Sequence, residues 1–351
     1  ALLPSGKSMK IWLDLTNSPH VTFFSPIIQR LEKAGHDIVI TYRDFAQTKS
    51  MVEGARLEAT LIDGHGGKSK LGKIKSLLSR TYQLVKFAKQ YDFDLAVSHN
   101  SYFQLLAAKY LGIKSLTSMD FEGQPANHIA FRLATLVSVP TSFPEADLKR
   151  FGAKNVAFYR GIKENISLAN FRVEQDFSSK LKTAFKLDDN ALSKPIIVVR
   201  PPPVLALYHN NDEHIFQLVL EKLNTDQNTV LVVPRTHDQG SQIADKYASF
   251  HFSEQVLDGL QLVYFADAVI SGGGSMNREA ACLGTQAISV FSDSLCAIDQ
   301  HLQSQGMLQQ LLSRDDIENL EFSKREKVYY EVNPEPINDF IGHINKLFKV
   351  K

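Results

Sequence analysis

Residues Ser271–Gly284 read SGGGSMNREAACLG and follow the apolar run LVYFADAVI. Three adjacent glycines stand between a run with strand character and an alanine-rich segment with helical character. Glycine inside regular structure is less favourable than alanine by roughly 0.5–1 kcal/mol, so three in a row need a physical reason. A strand–glycine loop–helix unit supplies one. It leaves backbone N–H groups unpaired at the positive end of a helix dipole and so makes a seat for an anion. On this reading the loop of Gly272, Gly273, Gly274, Ser275 and Met276 holds a diphosphate. Glu279, about one turn into the helix, accepts hydrogen bonds from the paired hydroxyls of a ribose. The G-x-G-x-x-G spacing is not met and the loop lies far from the chain start, which argues against a nicotinamide cofactor.

Outward from this loop, the second half of the chain alternates. PIIVVR, TVLVVP, LVYFADAVI and QAISVF read as strands, with helices over DEHIFQLVLEKLN and GSQIADKYA and from Ile298. The first half does the same. KIWLDL, HDIVITYR, LEATLI, DLAVSHN, KSLTSMD and LVSVPT read as strands, and the segments between them have helical spacing. Such alternation predicts an α/β protein with two Rossmann-like domains, each a parallel sheet covered on both faces. The first domain spans 9–162 and the second 194–351 with a terminal helix. The polar stretch 163–193 reads as the join. Ligands of open parallel sheets gather at the carboxyl ends of the strands, so the two sheets are expected to face across a ligand crevice.

The composition agrees. The chain has 351 residues, 44% of them hydrophobic and 22% charged, which suits a two-domain globular enzyme. Lys and Arg total 39 against 38 Asp and Glu, so no overall field draws nucleic acid. No apolar run approaches the roughly 18 residues of a spanning helix. Two cysteines, Cys282 and Cys296, make neither a disulfide framework nor a four-cysteine zinc site, and a reducing cytoplasm fits them. Residues 1–8, ALLPSGKS, read as a cloning remnant before Met9. Their GKS lacks the first glycine and preceding strand of a phosphate loop.

Other side chains suit chemistry. Arg200 ends PIIVVR and Arg235 follows LVVP, so both are expected at carboxyl strand ends, where a guanidinium suits a leaving diphosphate. His237 and Gln239 follow Arg235 and would line the same pocket. Asp120 and Glu122 in MDFEG sit just past a strand, where a carboxylate can act as a base or bind sugar hydroxyls. His99 and Asn100 end the neighbouring strand and would share that site. The loop HGGKSKLGKIKSLLSR carries Lys68, Lys70, Lys73, Lys75 and Arg80 without an acid. It would face an anionic acceptor, or an anionic membrane surface as a peripheral contact. No His, Asp or Glu cluster has metal-ligand spacing, and a nucleotide site of this kind needs neither metal nor cofactor.

AVISGGGSMNREAACLGTQAISVF resembles the donor-nucleotide segment of GT-B glycosyltransferases and of UDP-N-acetylglucosamine 2-epimerases. LDLTNSPHVTFFSPIIQRLEKAGHDIVITYR resembles their opening. With YRGIKENISL, VVRPPP and VVPRTHDQ, the whole of Met9 to about Leu312 is similar to an uncharacterised GT-B-like family of archaea and of some bacterial polysaccharide clusters. The resemblance implies a GT-B fold with the nucleotide held mainly by the second domain. In the transferase that adds N-acetylglucosamine to the peptidoglycan lipid intermediate, a loop like TNSPH sets a histidine beside donor and acceptor. Carried over, His20 in this loop is the base or transition-state contact, and Asn17 and Ser18 bind substrate. The expected activity is sugar transfer from a nucleoside-diphosphate sugar to a glycan or lipid-linked acceptor in surface polysaccharide biosynthesis. The alternatives are a nucleotide-sugar 2-epimerase, against which DLAVSHNS has no acid where those epimerases carry one, and a nucleotide-sugar-binding protein without turnover.

Overall fold

The computed structural model describes residues 8–63, 70–203, 210–253, 255–326 and 330–349. The chain forms two compact units, Ala1–Asn170 with Val332–Lys351 and Phe171–Glu331. The first holds β1 (Lys10–Leu15), β2 (Asp37–Tyr42), β3 (Ala59–Leu61), β4 (Leu95–His99), β5 (Lys114–Ser118), β6 (Leu136–Pro140) and β7 (Val156–Tyr159). All pair in parallel in the order β3-β2-β1-β4-β5-β6-β7. The second unit holds β8 (Ile196–Arg200), β9 (Thr229–Val232), β10 (His251–Phe252), β11 (Ala268–Ser271), β12 (Gln286–Ser289) and β13 (Gln309–Gln310). Its strands are also parallel, in the order β10-β9-β8-β11-β12-β13.

The central strands read as apolar runs because helices cover both faces of a parallel sheet. Ile11–Leu13, Leu95–Val97 and Ile196–Val199 are all buried. Each sheet has a switch point where the order of strands reverses, between β1 and β4 in one unit and β8 and β11 in the other. Crevices at such points take ligands.

Three expectations are corrected. The terminal helix, Glu335–Lys349, belongs to the first unit. Its Ile337, Phe340 and Ile344 are fully buried in that unit's core, where Phe340 meets Phe23 edge-on at 5.4 Å. Arg160, just after β7, clamps Asp339 and Glu335 of the same helix. The stretch 163–193 is no loose join. It carries the short helices Lys163–Ser167, Phe177–Ala184 and Asp189–Ser193, and the boundary between units falls at 170/171. LVYFADAVI is not one strand either. Its first half ends the helix Gly259–Phe265, which the Asp258 carboxylate caps by accepting from Leu260 and Gln261 N–H. The strand begins at Ala268, after the buried Asp267 accepts from Ile196 N–H at 2.7 Å. An apolar run sets no boundary between helix and strand when both are buried.

Candidate functional site

In the second unit, β11 ends at Ser271 and a helix runs from Gly274 to Cys282 with Gly273 as its N-cap. The three glycines have three different reasons. A Cβ on Gly272 would lie 2.8 Å from the Pro202 side chain and 2.9 Å from its Cα, so the backbone after β8 packs directly on this residue. A Cβ on Gly273 would lie 2.9 Å from an Arg235 guanidinium nitrogen. One on Gly274 would lie 3.1 Å from Arg278, which is held by Asp299 at 2.8 Å. The triplet therefore lets two arginines and a neighbouring loop close on the helix start.

Arg200, Arg235, Ser271, Glu279 and the loop from Gly273 to Met276 line a cavity of about 350 Å³. Arg200 is the last residue of β8, next to β11 in the sheet. Arg235 reaches the loop because its Nε donates to Pro201 O at 2.8 Å. Gln239 fixes it further, accepting from Arg235 N–H and donating to Pro202 O. Partial burial and then the Arg200 guanidinium lower the pKa of Arg235. Two cations set beside one helix N-terminus attract an anion electrostatically, which makes this cavity the candidate nucleotide site.

The cavity lining thus gathers the residues expected at the nucleotide except Gly272, His237 and Gln239, the last of which braces Arg235 from outside it. Gly272 supports the loop from behind, against Pro202. The Gly273 N–H is already donated to Ser271 Oγ at 3.0 Å, so the N–H groups pointing onward are those of Gly274, Ser275 and Met276. His237 does not line the cavity; its side chain is 94% exposed at the start of the next helix.

In the first unit the switch point is differently built. Asn17 is the N-cap of the helix Ser18–Lys33, and its Oδ1 accepts from Ser18 N–H. Ser18 Oγ accepts from Gln47 N–H. Both side chains thus have local structural tasks. His20 lies in the first turn of this helix, not in the loop before it, because Pro19 and the cap start the helix early. Its ring stands 4.8 Å from that of His99, the last residue of β4. His99 Nε2 is 3.3 Å from Asp120 Oδ1, and Asp120 Oδ2 is 3.1 Å from Lys163 Nζ. Asp120 follows β5, and Glu122 is half-buried two residues further on. Asn100 takes a left-handed φ of 56° beside this cluster, with its N–H donated to Thr117 Oγ1. Tyr159 at the end of β7 is fully buried, and burial, then Asp120 and Glu164, raise its pKa. Two imidazoles, a carboxylate and an ammonium gathered in a largely buried site can exchange a proton with a bound ligand.

Lys163 was not identified from sequence as a site residue. Its signal is the turn before it, YRGIK, where Gly161 has φ 72° and redirects the chain so that Lys163 opens a helix beside Asp120. The basic loop is corrected in part. Arg80 is fully buried in the helix Lys70–Ala88, bidentate to Asp14 of β1 at 2.8 Å, with its Nε donating to Ile62 O. It is a structural ion pair and presents no charge to a surface. Lys68 lies outside the described residues, as do the side chains of Lys70, Lys73 and Lys75. No helix among the described residues is long and apolar enough to cross a membrane.

Two Rossmann-like parallel sheets in succession, each with its strand order reversing at a switch point, give the chain a fold of the GT-B type. The chain belongs to the family described as "Protein of unknown function (DUF354)", whose model matches residues 9–339. An uncharacterised protein of Methanocaldococcus jannaschii is 30% identical over 305 residues, covering 84% of this chain and 85% of that one. Among solved structures, the UDP-GlcNAc 2-epimerase of Methanocaldococcus jannaschii is similar with a TM-score of 0.73 at 13% identity, covering 96% of this chain and 100% of that one. The glycotransferase of kitacinnamycin is similar with a TM-score of 0.60 at 12% identity, covering 97% and 95%. At these identities the likeness is one of fold.

Proposed function

We propose that this protein is a glycosyltransferase that takes its sugar from a nucleoside-diphosphate sugar. The observation that carries the reading is the cavity where Arg200, Arg235, the loop Gly273–Met276 and Glu279 converge. The diphosphate occupies the helix N-terminus between the guanidinium groups, and Glu279 accepts from the ribose hydroxyls. As the glycosidic bond breaks, its electron pair passes to the diphosphate oxygen, and the two arginines stabilise the growing charge. The acceptor hydroxyl passes its proton to the His99–Asp120 pair, and its oxygen forms the new bond to the sugar. His20, His99, Asp120 and Lys163 of the first unit are assigned to that acceptor and to the sugar, with Glu122, Asn17, Ser18 and Asn100 at its margin. The acceptor is a glycan or lipid-linked saccharide, and the site uses no metal.

The second reading, a nucleotide-sugar 2-epimerase, is favoured by the fold likeness to the epimerase and by the gathering of Asp120 with two histidines. Removal of a proton at sugar C2 and its return to the other face needs such acid–base groups.

A thermal-shift panel of nucleoside diphosphates and their sugars tests binding first, because a ligand selective for the folded state stabilises it by RT ln(1 + [L]/Kd). Glu279→Ala should weaken the selected nucleotide by about 1–3 kcal/mol in calorimetry. Equal affinity in wild type and variant would remove the ribose assignment. Product analysis then separates the reactions. A transferase gives free nucleotide and a glycoside, an epimerase an isomerised nucleotide sugar without acceptor, and a binding protein neither.

A further inference from the structure

We infer that His20 serves as a neutral hydrogen-bond donor through Nε2, steadying negative charge on a substrate oxygen, and does not act as the proton acceptor. The substrate rests on the nucleotide-sugar reading above, whereas the donor assignment rests on the geometry of the ring.

His20 Nδ1 lies 3.3 Å from the backbone nitrogen of Thr16, with hydrogen-bond geometry. A backbone N–H only donates, so Nδ1 must present its lone pair. Thr16 Oγ1, also 3.3 Å from Nδ1, is a rotor that can donate to the same lone pair. A neutral imidazole whose Nδ1 accepts carries its proton on Nε2. Nε2 makes no hydrogen bond with the described residues, so its N–H is left for a ligand. To act as a base there, the ring would need the other tautomer, with its Nδ1–H aimed at the Thr16 N–H.

The charged form is opposed from several sides. The ring is 9% exposed and sits in the first turn of a 16-residue helix, where the dipole disfavours a cation. The titratable groups that bear on it are His99 at the end of β4, Asp120 after β5 and Lys163 of the helix Lys163–Ser167. Burial, then His99, then Lys163 lower its pKa well below the ordinary value, and Asp120 alone opposes them. A ring that stays neutral and donates at Nε2 is a preorganised partner for an oxygen that gains charge. His99, tilted against it and facing Asp120, is left as the imidazole with a carboxylate partner.

The test is histidine ring NMR on the full, ligand-free chain with ¹⁵N-labelled histidine. Scalar coupling between Thr16 N and His20 Nδ1 across the hydrogen bond assigns the ring without any variant. The expected result is the Nε2–H tautomer at neutral pH, retained well below the usual imidazole range. An Nδ1–H tautomer, or an imidazolium at neutral pH, overturns the inference. Turnover of the nucleotide sugar gives a second reading. His20→Gln, which offers an amide N–H near the same place, should stay within about tenfold of wild type, while His20→Ala should lose on the order of 10²–10³-fold. Equal losses in both would return His20 to the role of base. Failure of nucleotides to bind at all would sink the proposed function and leave the NMR result to decide this one.

Discussion

At β1 and β4 the first unit gathers His20, His99, Asp120 and Lys163 under cover, whereas at β8 and β11 the second unit turns Arg200 and Arg235 towards an open cavity. The strand order around both switch points is the same, so topology sets the place and local sequence sets the chemistry. The guanidinium groups make the contrast sharpest. Arg80 of the first unit is spent on Asp14, with Ser101 Oγ and Thr41 Oγ1 donating to the same carboxylate. Arg200 and Arg235 repel one another instead, an arrangement that an arriving anion relieves.

Breaking the paired arginine should have the largest effect. Asp14→Ala strands the buried Arg80 charge and should cost about 3–5 kcal/mol of stability in denaturant unfolding. Replacing both partners together with Leu and Met should cost much less, because no buried charge remains. A small loss for Asp14→Ala alone would mean that water reaches Arg80. The opposite pattern is expected at the cavity. Arg200→Ala should leave unfolding unchanged or slightly improved, since a like charge is removed, but weaken nucleoside diphosphate binding by about 1.5–3 kcal/mol. Lost stability with intact binding would make Arg200 a structural residue and undo the contrast.

The glycines refine the comparison within the second unit. Gly272→Ala drives a Cβ into the Pro202 backbone and should lower the melting temperature and binding together. Gly273→Ala meets only the far end of Arg235, so it should lower nucleotide affinity by displacing that side chain while stability holds. Calorimetry and thermal melts on the two variants read this directly, and identical behaviour would argue against Arg235 as an anion contact.

The smallest effect is in pH. His20, His36 and His343, all in the first unit, have pKa values lowered by burial from the ordinary 6.5. Below 6.5 the unfolded chain binds protons that the folded unit refuses, so this contribution is complete above 6.5 and is lost as pH falls. Hydrogen exchange at pH 7 and pH 5, corrected for intrinsic rates, should show residues 10–170 losing protection before residues 171–326. Loss at the same rate in both units would put the acid sensitivity elsewhere.

Much of the fold was legible because a parallel sheet writes itself as short apolar runs between amphipathic segments, a local signal. KIWLDL, DLAVSH and PIIVVR could be placed as buried strands without any partner. The glycine loop was legible for the same reason, since GGG ahead of SMNREAA marks a helix start within one stretch of chain. With Arg200 at the end of β8 and Arg235 in the loop just past the end of β9, rather than on the strand itself, this was enough to gather most of the cavity lining.

The sequence by itself determined most of the buried strands, the α/β architecture, and a helix that opens on glycine after one of those strands. Only the tertiary structure decided what lies far apart in the chain and close in space. Glu335–Lys349 returns to the first unit because Ile337, Phe340 and Ile344 find that core, a choice that helical periodicity cannot express. Arg80 is a buried partner of Asp14, 66 residues away, although it reads as the end of a basic run. Lys163 meets Asp120 through a turn at Gly161. The proton on His20 is placed by one backbone N–H, that of Thr16, and a hydrogen bond of that kind exists only once strand and helix have been set at their angle. Local propensity is written residue by residue, whereas charge pairing, burial and tautomer depend on distances that no single stretch contains.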